Sequence, residues 1–169
     1  MMDKKLWNAL EEVSFVREKE GTNVGVYIAA CDNLNWRAHT MLNPNENVNP
    51  FLMDKLSITY SIGTLISYSL NLTGPSYFVD TACSSSLVAI DVAYNSLCSG
   101  NNKVAIAGGV RFESIDKKGY FYEEGMIHSQ DGHCKAFDTD ATGTVGGNGM
   151  GVVVLKPLEE ALKANDHIY

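Results

Sequence analysis

Two short runs, Val24-Gly25-Val26-Tyr27-Ile28-Ala29-Ala30 and Val104-Ala105-Ile106-Ala107, carry no charged side chain at any position. A strand with one wet face alternates apolar and polar residues, whereas a strand apolar throughout is covered on both faces, as central parallel strands are. A third apolar run, Tyr77-Phe78-Val79, ends at Asp80 and Thr81. Beyond it Leu87, Ile90, Tyr94 and Leu97 recur at helical spacing, and Val88, Ala89 and Val92 cover much of the remaining surface. Only Asp91 and Asn95 interrupt, and a helix apolar nearly all round is a buried one. Strand 76–80, helix 83–98 and strand 103–108 therefore read as a βαβ unit with the right-handed crossover that parallel neighbours require. The fold class expected is α/β, with a mostly parallel sheet.

The remaining chain fits around that unit. Leu6, Leu10 and Val13 predict a short amphipathic leader helix within residues 1–21, ended at Gly21, ahead of a main body over 22–169. Asp32 to Pro50 is polar and Asn-rich, a loop; Trp36 is read as pinning it to the body, with a pocket lined by Trp36 and His39 as the alternative. Phe51 to Leu70 reads as helix, in one or two pieces, with Ile58, Ile62, Leu65 and Ile66 as its buried face and Gly74-Pro75 as its stop. From Arg111 to Gly149 loop predominates, with a short helical piece near Lys117–Glu123. The last strand is Val152–Leu155, and a closing helix runs from Pro157 to Ala164 with proline in its first turn, where it is tolerated.

Charge and composition exclude several classes. A net charge of −7 with no run of Lys and Arg argues against a nucleic-acid partner. Cys31, Cys83, Cys98 and Cys134 form no CxxC pair and have no zinc-site spacing, so no metal site is expected. A chain with this much core needs no disulfide framework, and a reducing cytoplasm is the expected setting. No apolar stretch reaches the roughly 18 residues of a membrane span. The basic start leads into Glu11 and Glu12 rather than into an apolar signal core, so no targeting peptide is read there. The glycines from Gly143 to Gly151 run into a strand and lack the GK[ST] ending of a phosphate loop. Asp131, Asp138 and Asp140 match no calcium-loop spacing and read as residues that fix turns through their side chains. No serine sits in a G-x-S-x-G elbow.

One residue carries candidate chemistry. Cys83 falls where the strand ending at Asp80 turns into the long apolar helix. Unpaired N–H groups and the positive end of the helix dipole favour an anion at such a place. A thiol there ionises more readily, and the thiolate is the nucleophile. On the residues alone a small core cysteine, chosen for packing, remains the alternative.

Gly74-Pro75-Ser76, Asp80-Thr81-Ala82-Cys83-Ser84-Ser85-Ser86-Leu87 and Ala105-Ile106-Ala107-Gly108-Gly109-Val110 together resemble the active-site region of β-ketoacyl synthases, above all the ketosynthase domains of modular polyketide synthases. The similarity continues through Ser129, Asp131-Gly132, Cys134, Phe137-Asp138, Gly143-Thr144-Val145-Gly146-Gly147 and Leu155-Lys156, and so spans roughly 22–169. It implies a thiolase-like fold, of which this chain holds an N-terminal-half fragment with a mostly parallel mixed sheet and a buried helix after the nucleophile. It also implies that Cys83 accepts an acyl group as a thioester from the phosphopantetheine arm of an acyl carrier protein, in polyketide or fatty-acid-like synthesis. The chain itself then needs no cofactor.

In the family two histidines from the later half assist decarboxylative Claisen condensation. The chain ends at Asp166-His167-Ile168-Tyr169, before those motifs, and His39, His128, His133 and His167 do not replace them by motif. The resemblance therefore implies an incomplete acyltransferase, not competent alone for condensation, with the remainder of the ketosynthase domain or synthase as a partner. Strand 76–80 is expected to pair with its twin across a homodimer axis. The rival expectation is a catalytically inert scaffold or dimerisation module derived from a ketosynthase; a thioester hydrolase using Cys83 lacks a visible base.

Overall fold

In a computed structural model of the chain, the structure describes residues 23–32, 58–112 and 119–169, with single positions at 38, 42, 49, 51 and 52. The expected leader helix, Trp36 and His39 lie outside the described residues. Among the described residues four strands form one sheet: β1 (Val24–Ala30), β2 (Ser76–Phe78), β3 (Val104–Arg111) and β4 (Gly149–Leu155). Among the described residues they are accompanied by α1 (Ile62–Leu70), α2 (Ser85–Cys98) and α3 (Leu158–Ala164), and 3-10 turns precede α1 and α2 at Thr59–Ser61 and Ala82–Ser84.

The strand order is β2-β1-β3-β4. β1 pairs in parallel with both β2 and β3, while β4 runs antiparallel to β3, which makes the sheet mixed and mostly parallel as expected. The crossover from β2 through α2 to β3 spans one strand more than the sequence reading assumed, because β1 lies between them. Both fully apolar runs are thus interior strands, each with a neighbour on either side.

Alternation along β1 and β3 divides the core in two. Val24, Val26, Ile28, Val104 and Ile106 face Ile66 and Leu70 of α1, with Leu72 beyond it. Tyr27, Ala105 and Ala107 face Ala89 and Ala93 of α2, together with Val79. Fully buried Ile28 and Ile106 each contribute about 2 kcal/mol over exposure, so this double layer is what holds the sheet. Small residues on the α2 side let that helix approach the sheet closely. A Cβ at Gly109 would sit 3.0 Å from the Cβ of Ser86, so glycine there seats the first turn of α2 on the end of β3.

At the other end of α2, Tyr27 and Ser96 direct their hydroxyls to Oδ1 of Asn102, and Nδ2 of Asn102 donates to the Val104 carbonyl at 2.7 Å. This satisfies the one large polar group that β1 buries. Burial pushes the Tyr27 phenol up from its ordinary pKa.

Several boundaries shift for local reasons. The helix expected over 51–70 is helical at Phe51, Leu52 and Ile62–Leu70; Asn71, in the left-handed conformation at φ 52°, ends it before Gly74 is reached. Leu65 stays 43% exposed, whereas Leu70 and Leu72 complete the buried face. β2 is shorter than 76–80 because the chain turns at Asp80, although the Val79 N–H still donates to the Ile28 carbonyl at 3.0 Å. The described part of the expected helical piece, 119–123, is not helical. β4 starts three residues early, at Gly149, since glycines pair with β3 without any side chain to signal it.

The helix after Cys83 also differs from its pattern. Ala89, Ala93 and Ser96 are buried, but Leu87 is 71% and Tyr94 59% exposed. Among the described residues only the sheet packs on α2, so one face is covered where an all-round apolar helix predicted two.

Candidate active site

The turn between β2 and α2 is built by its own side chains. The Ala82 N–H donates to Oδ1 of Asp80 at 3.2 Å. The Ser85 hydroxyl donates to the Ala82 carbonyl at 2.6 Å and accepts from the Thr81 N–H at 2.8 Å. The Ser84 hydroxyl donates back to Thr81, whose carbonyl and hydroxyl oxygens lie 2.8 and 2.9 Å away. Ser84 and Ser85 thus close the turn behind them. Ser84, at the N-cap position of α2, makes no side-chain cap to the helix. The Ser84 and Ser85 N–H groups donate to the Thr81 and Ala82 carbonyls of the 3-10 turn, and the dipole end of α2 favours a negative group.

Ala82 is held at φ 54°, a left-handed conformation that L residues adopt at a cost of about 1–3 kcal/mol. Such strain persists where the surroundings over-determine the backbone, and the hydrogen bonds above do so. Cys83 follows Ala82 directly, on a 3-10 turn, and is an exposed free thiol. It is therefore not a core packing residue in this structure.

The carboxyl ends of β1 and β3 converge beside that turn on an open cavity of about 890 Å³. Its walls combine small and branched apolar side chains, such as Ala107, Ile90 and Val152, with Cys83, Cys31, Asp32, Asp80 and Arg111. Ligand sites of open α/β sheets lie in this position, outside the carboxyl ends of the strands. Sequence reasoning singled out Cys83 but not Cys31, Asp32 or Arg111. The signal was available: each stands at or just past the end of a predicted parallel strand.

No histidine lines this cavity among the described residues. His128 stacks on Tyr120 with ring centroids 4.5 Å apart, and its Nδ1 is buried without a hydrogen bond. His133 belongs to the Asp131 loop, where its backbone N–H donates to Oδ1 of Asp131 at 3.1 Å. Ser129, fully buried, donates to the same oxygen at 2.8 Å, and the Lys135 ammonium lies 2.7 Å from Oδ2. Lys135, then Ser129 and the His133 N–H, hold the Asp131 carboxyl well below the usual carboxylate range. Asp138 likewise accepts from the Asp140 N–H at 2.8 Å. Both aspartates fix loop turns, as their spacing predicted.

Known proteins are similar to this chain in sequence and in fold. The sequence profile described as "Beta-ketoacyl synthase, N-terminal domain" matches residues 1–161. Polyketide synthase PksN of Bacillus subtilis is 39% identical over 169 residues, covering 96% of this chain and 3% of that protein. Polyketide synthase PksM of the same bacterium is 34% identical over 170 residues, covering 96% of this chain and 4% of its own length. Among solved structures, ketosynthase twelve of the bacillaene polyketide synthase of Bacillus amyloliquefaciens superposes with a TM-score of 0.85 at 36% identity. The ketosynthase from module 1 of the bacillaene synthase of the same species gives 0.82 at 37%. These alignments cover 98% and 99% of this chain and 29% of each solved chain. The fold is thus the thiolase-like fold of ketosynthases, seen over their N-terminal part. With an exposed cysteine on a strained strand-to-helix turn, and a profile match over nearly the whole length, the chain belongs to the β-ketoacyl synthase family, as a stretch of its N-terminal domain.

Proposed function

We propose that Cys83 is the nucleophile of an acyl-transfer site. Its thiolate attacks the carbonyl of an acyl thioester carried on the phosphopantetheine arm of an acyl carrier protein. The carrier thiol leaves with the proton, and the acyl group stays on Sγ. The observation that carries this reading is the exposed Cys83 thiol beside strained Ala82, just ahead of the start of α2 and on the wall of the cavity. The backbone N–H of Cys83 is one candidate donor to the oxyanion formed in the attack. The extender decarboxylation and condensation belong to the whole ketosynthase domain, with the two histidines that the family resemblance implies. In that setting the chain works as part of a polyketide or fatty-acid-like synthase, with the rest of the domain and the carrier protein as partners.

We further infer a homodimer contact through the edge at β2. Among the described residues β2 pairs only with β1. The Pro75 carbonyl and the Val79 N–H bond to β1, so by alternation the peptide groups of Ser76 and Phe78 face the open edge. Four free thiols support a reducing, cytoplasmic setting, and no described helix is long and apolar enough to cross a membrane.

Incubation with an acyl thioester, followed by peptide mass spectrometry, tests the acyl reading. Cys83 is expected to carry the acyl group and Cys83→Ala to carry none. Equal labelling of the variant, or an unmodified Cys83, overturns it. The second reading, an inert dimerisation module, draws on the exposed apolar face of α2 at Leu87 and Tyr94; it predicts self-association with no acylation at any thiol.

A further inference from the structure

Cys83 does not line its cavity as the only thiol: Cys31 lines it too, whereas Cys98 and Cys134 do not. Cys31 is the first residue past β1, and its backbone N–H donates to the Val110 carbonyl at 3.0 Å, which keeps it in line with the end of β3. Its thiol is free and exposed. β1 and β2 are hydrogen-bonded parallel neighbours, with Ile28 opposite Phe78, so the segments bearing Cys31 and Cys83 leave the sheet at the same end. Continued past the ladder, that register sets Cys31 opposite Thr81, two residues before Cys83, and a disulfide spans Cα atoms up to about 7 Å apart. Cys83 stands on the hydrogen-bonded 80–84 turn beyond the sheet ladder, so forming the bond requires that turn to shift. The acyl transfer proposed above leaves Cys31 without a task.

We propose that Cys31 and Cys83 form a peroxide-reactive dithiol site, in which Cys31 resolves oxidised Cys83. This rests on the reading of Cys83 as a reactive thiol. The Cys83 thiolate attacks one oxygen of hydrogen peroxide, the O–O bond breaks, and hydroxide leaves a sulfenic acid on Sγ. The Cys31 thiol then attacks that sulfur; the S–O bond breaks, water leaves and the Sγ–Sγ bond forms. The two thiols together lose two electrons and two protons, and the peroxide is reduced to two waters. The disulfide blocks acyl loading but is opened by a thiol reductant, whereas a sulfinic acid on Cys83 is not. Cys31 thereby converts an irreversible loss of the acyl acceptor into a reversible one.

The test treats the full chain with hydrogen peroxide, caps remaining thiols with N-ethylmaleimide and maps peptides without reductant. Expected are a Cys31–Cys83 linked peptide within one chain, loss of acyl loading at Cys83, and its return with dithiothreitol. Cys31→Ser is expected to give no linked peptide, sulfinic acid at Cys83, and a loss that dithiothreitol does not reverse. An untreated chain that loads Cys83 but forms no linked peptide after peroxide, or links only between chains, overturns the dithiol site and leaves the acyl reading standing. A Cys83 that takes up neither acyl group nor N-ethylmaleimide before treatment overturns both.

Discussion

At the scale of single residues, the Ala82 backbone and the Asp131 carboxyl carry the sharpest consequences. Ala82 tolerates φ 54° because its side chain is one methyl and three hydrogen-bonded neighbours pin the turn. A β-branched residue tolerates that region far less. Ala82→Val should lower the unfolding free energy measured in urea by on the order of 1–2 kcal/mol, and slow acyl loading of Cys83 by displacing the turn. A loading rate equal to that of the parent chain would separate the strain from the chemistry. Asp131 gives a pH prediction with a defined sign. Its carboxyl is depressed in the folded state, so its contribution is full above about pH 4, where an unfolded aspartate is ionised, and is lost only as pH falls through the lower folded value. In an NMR titration its carboxyl carbon should stay in the carboxylate range well below pH 4, and Lys135→Met should move that midpoint upward.

At the scale of elements, α2 is positioned from both ends. Gly109 seats its first turn, and the Tyr27–Asn102–Ser96 contacts hold its last. Helix α3 depends on a different device. Lys156, just past β4, bonds Oδ2 of Asp166 at 3.0 Å, with side chains only 10% and 2% exposed. A buried pair adds little over apolar packing, but removing one partner leaves the other charged and out of water. Lys156→Met should therefore cost about 3 kcal/mol by the measured range for such pairs, and Lys156→Met with Asp166→Leu should cost less than the single change. Denaturant midpoints of the two variants decide the matter. A double variant less stable than the single one would show that packing around α3 outweighs the charge.

At the scale of the whole molecule, the sheet ends and the helix faces set what this chain can join. The β2 edge offers outward peptide groups at Ser76 and Phe78, and open edges of this kind recruit other strands. Proline at the first strand residue removes an outward N–H and leaves the β1 ladder intact. Ser76→Pro should halve the mass seen in sedimentation without lowering helicity by circular dichroism. A dimer that survives the change points to another surface. The uncovered stripe of Leu87 and Tyr94 is the second surface, and it tells how a chain that matches 29% of a solved ketosynthase carries a helix patterned for burial on two sides.

The α/β class, both interior strands and the place of Cys83 were readable from residue order, since burial on both faces writes an uninterrupted apolar run and a strand-to-helix turn writes a recognisable break. Boundaries that depend on a single backbone angle, such as Asn71 ending α1, or on glycines that pair silently, such as Gly149 and Gly151 in β4, left no such mark. Tertiary structure alone decided that β1 enters between β2 and β3, that Cys31 and Arg111 share a cavity with Cys83, and that α2 is covered on one side. Local pattern records how each segment meets water; which segments meet one another depends on long-range pairing, and no single stretch of sequence contains that.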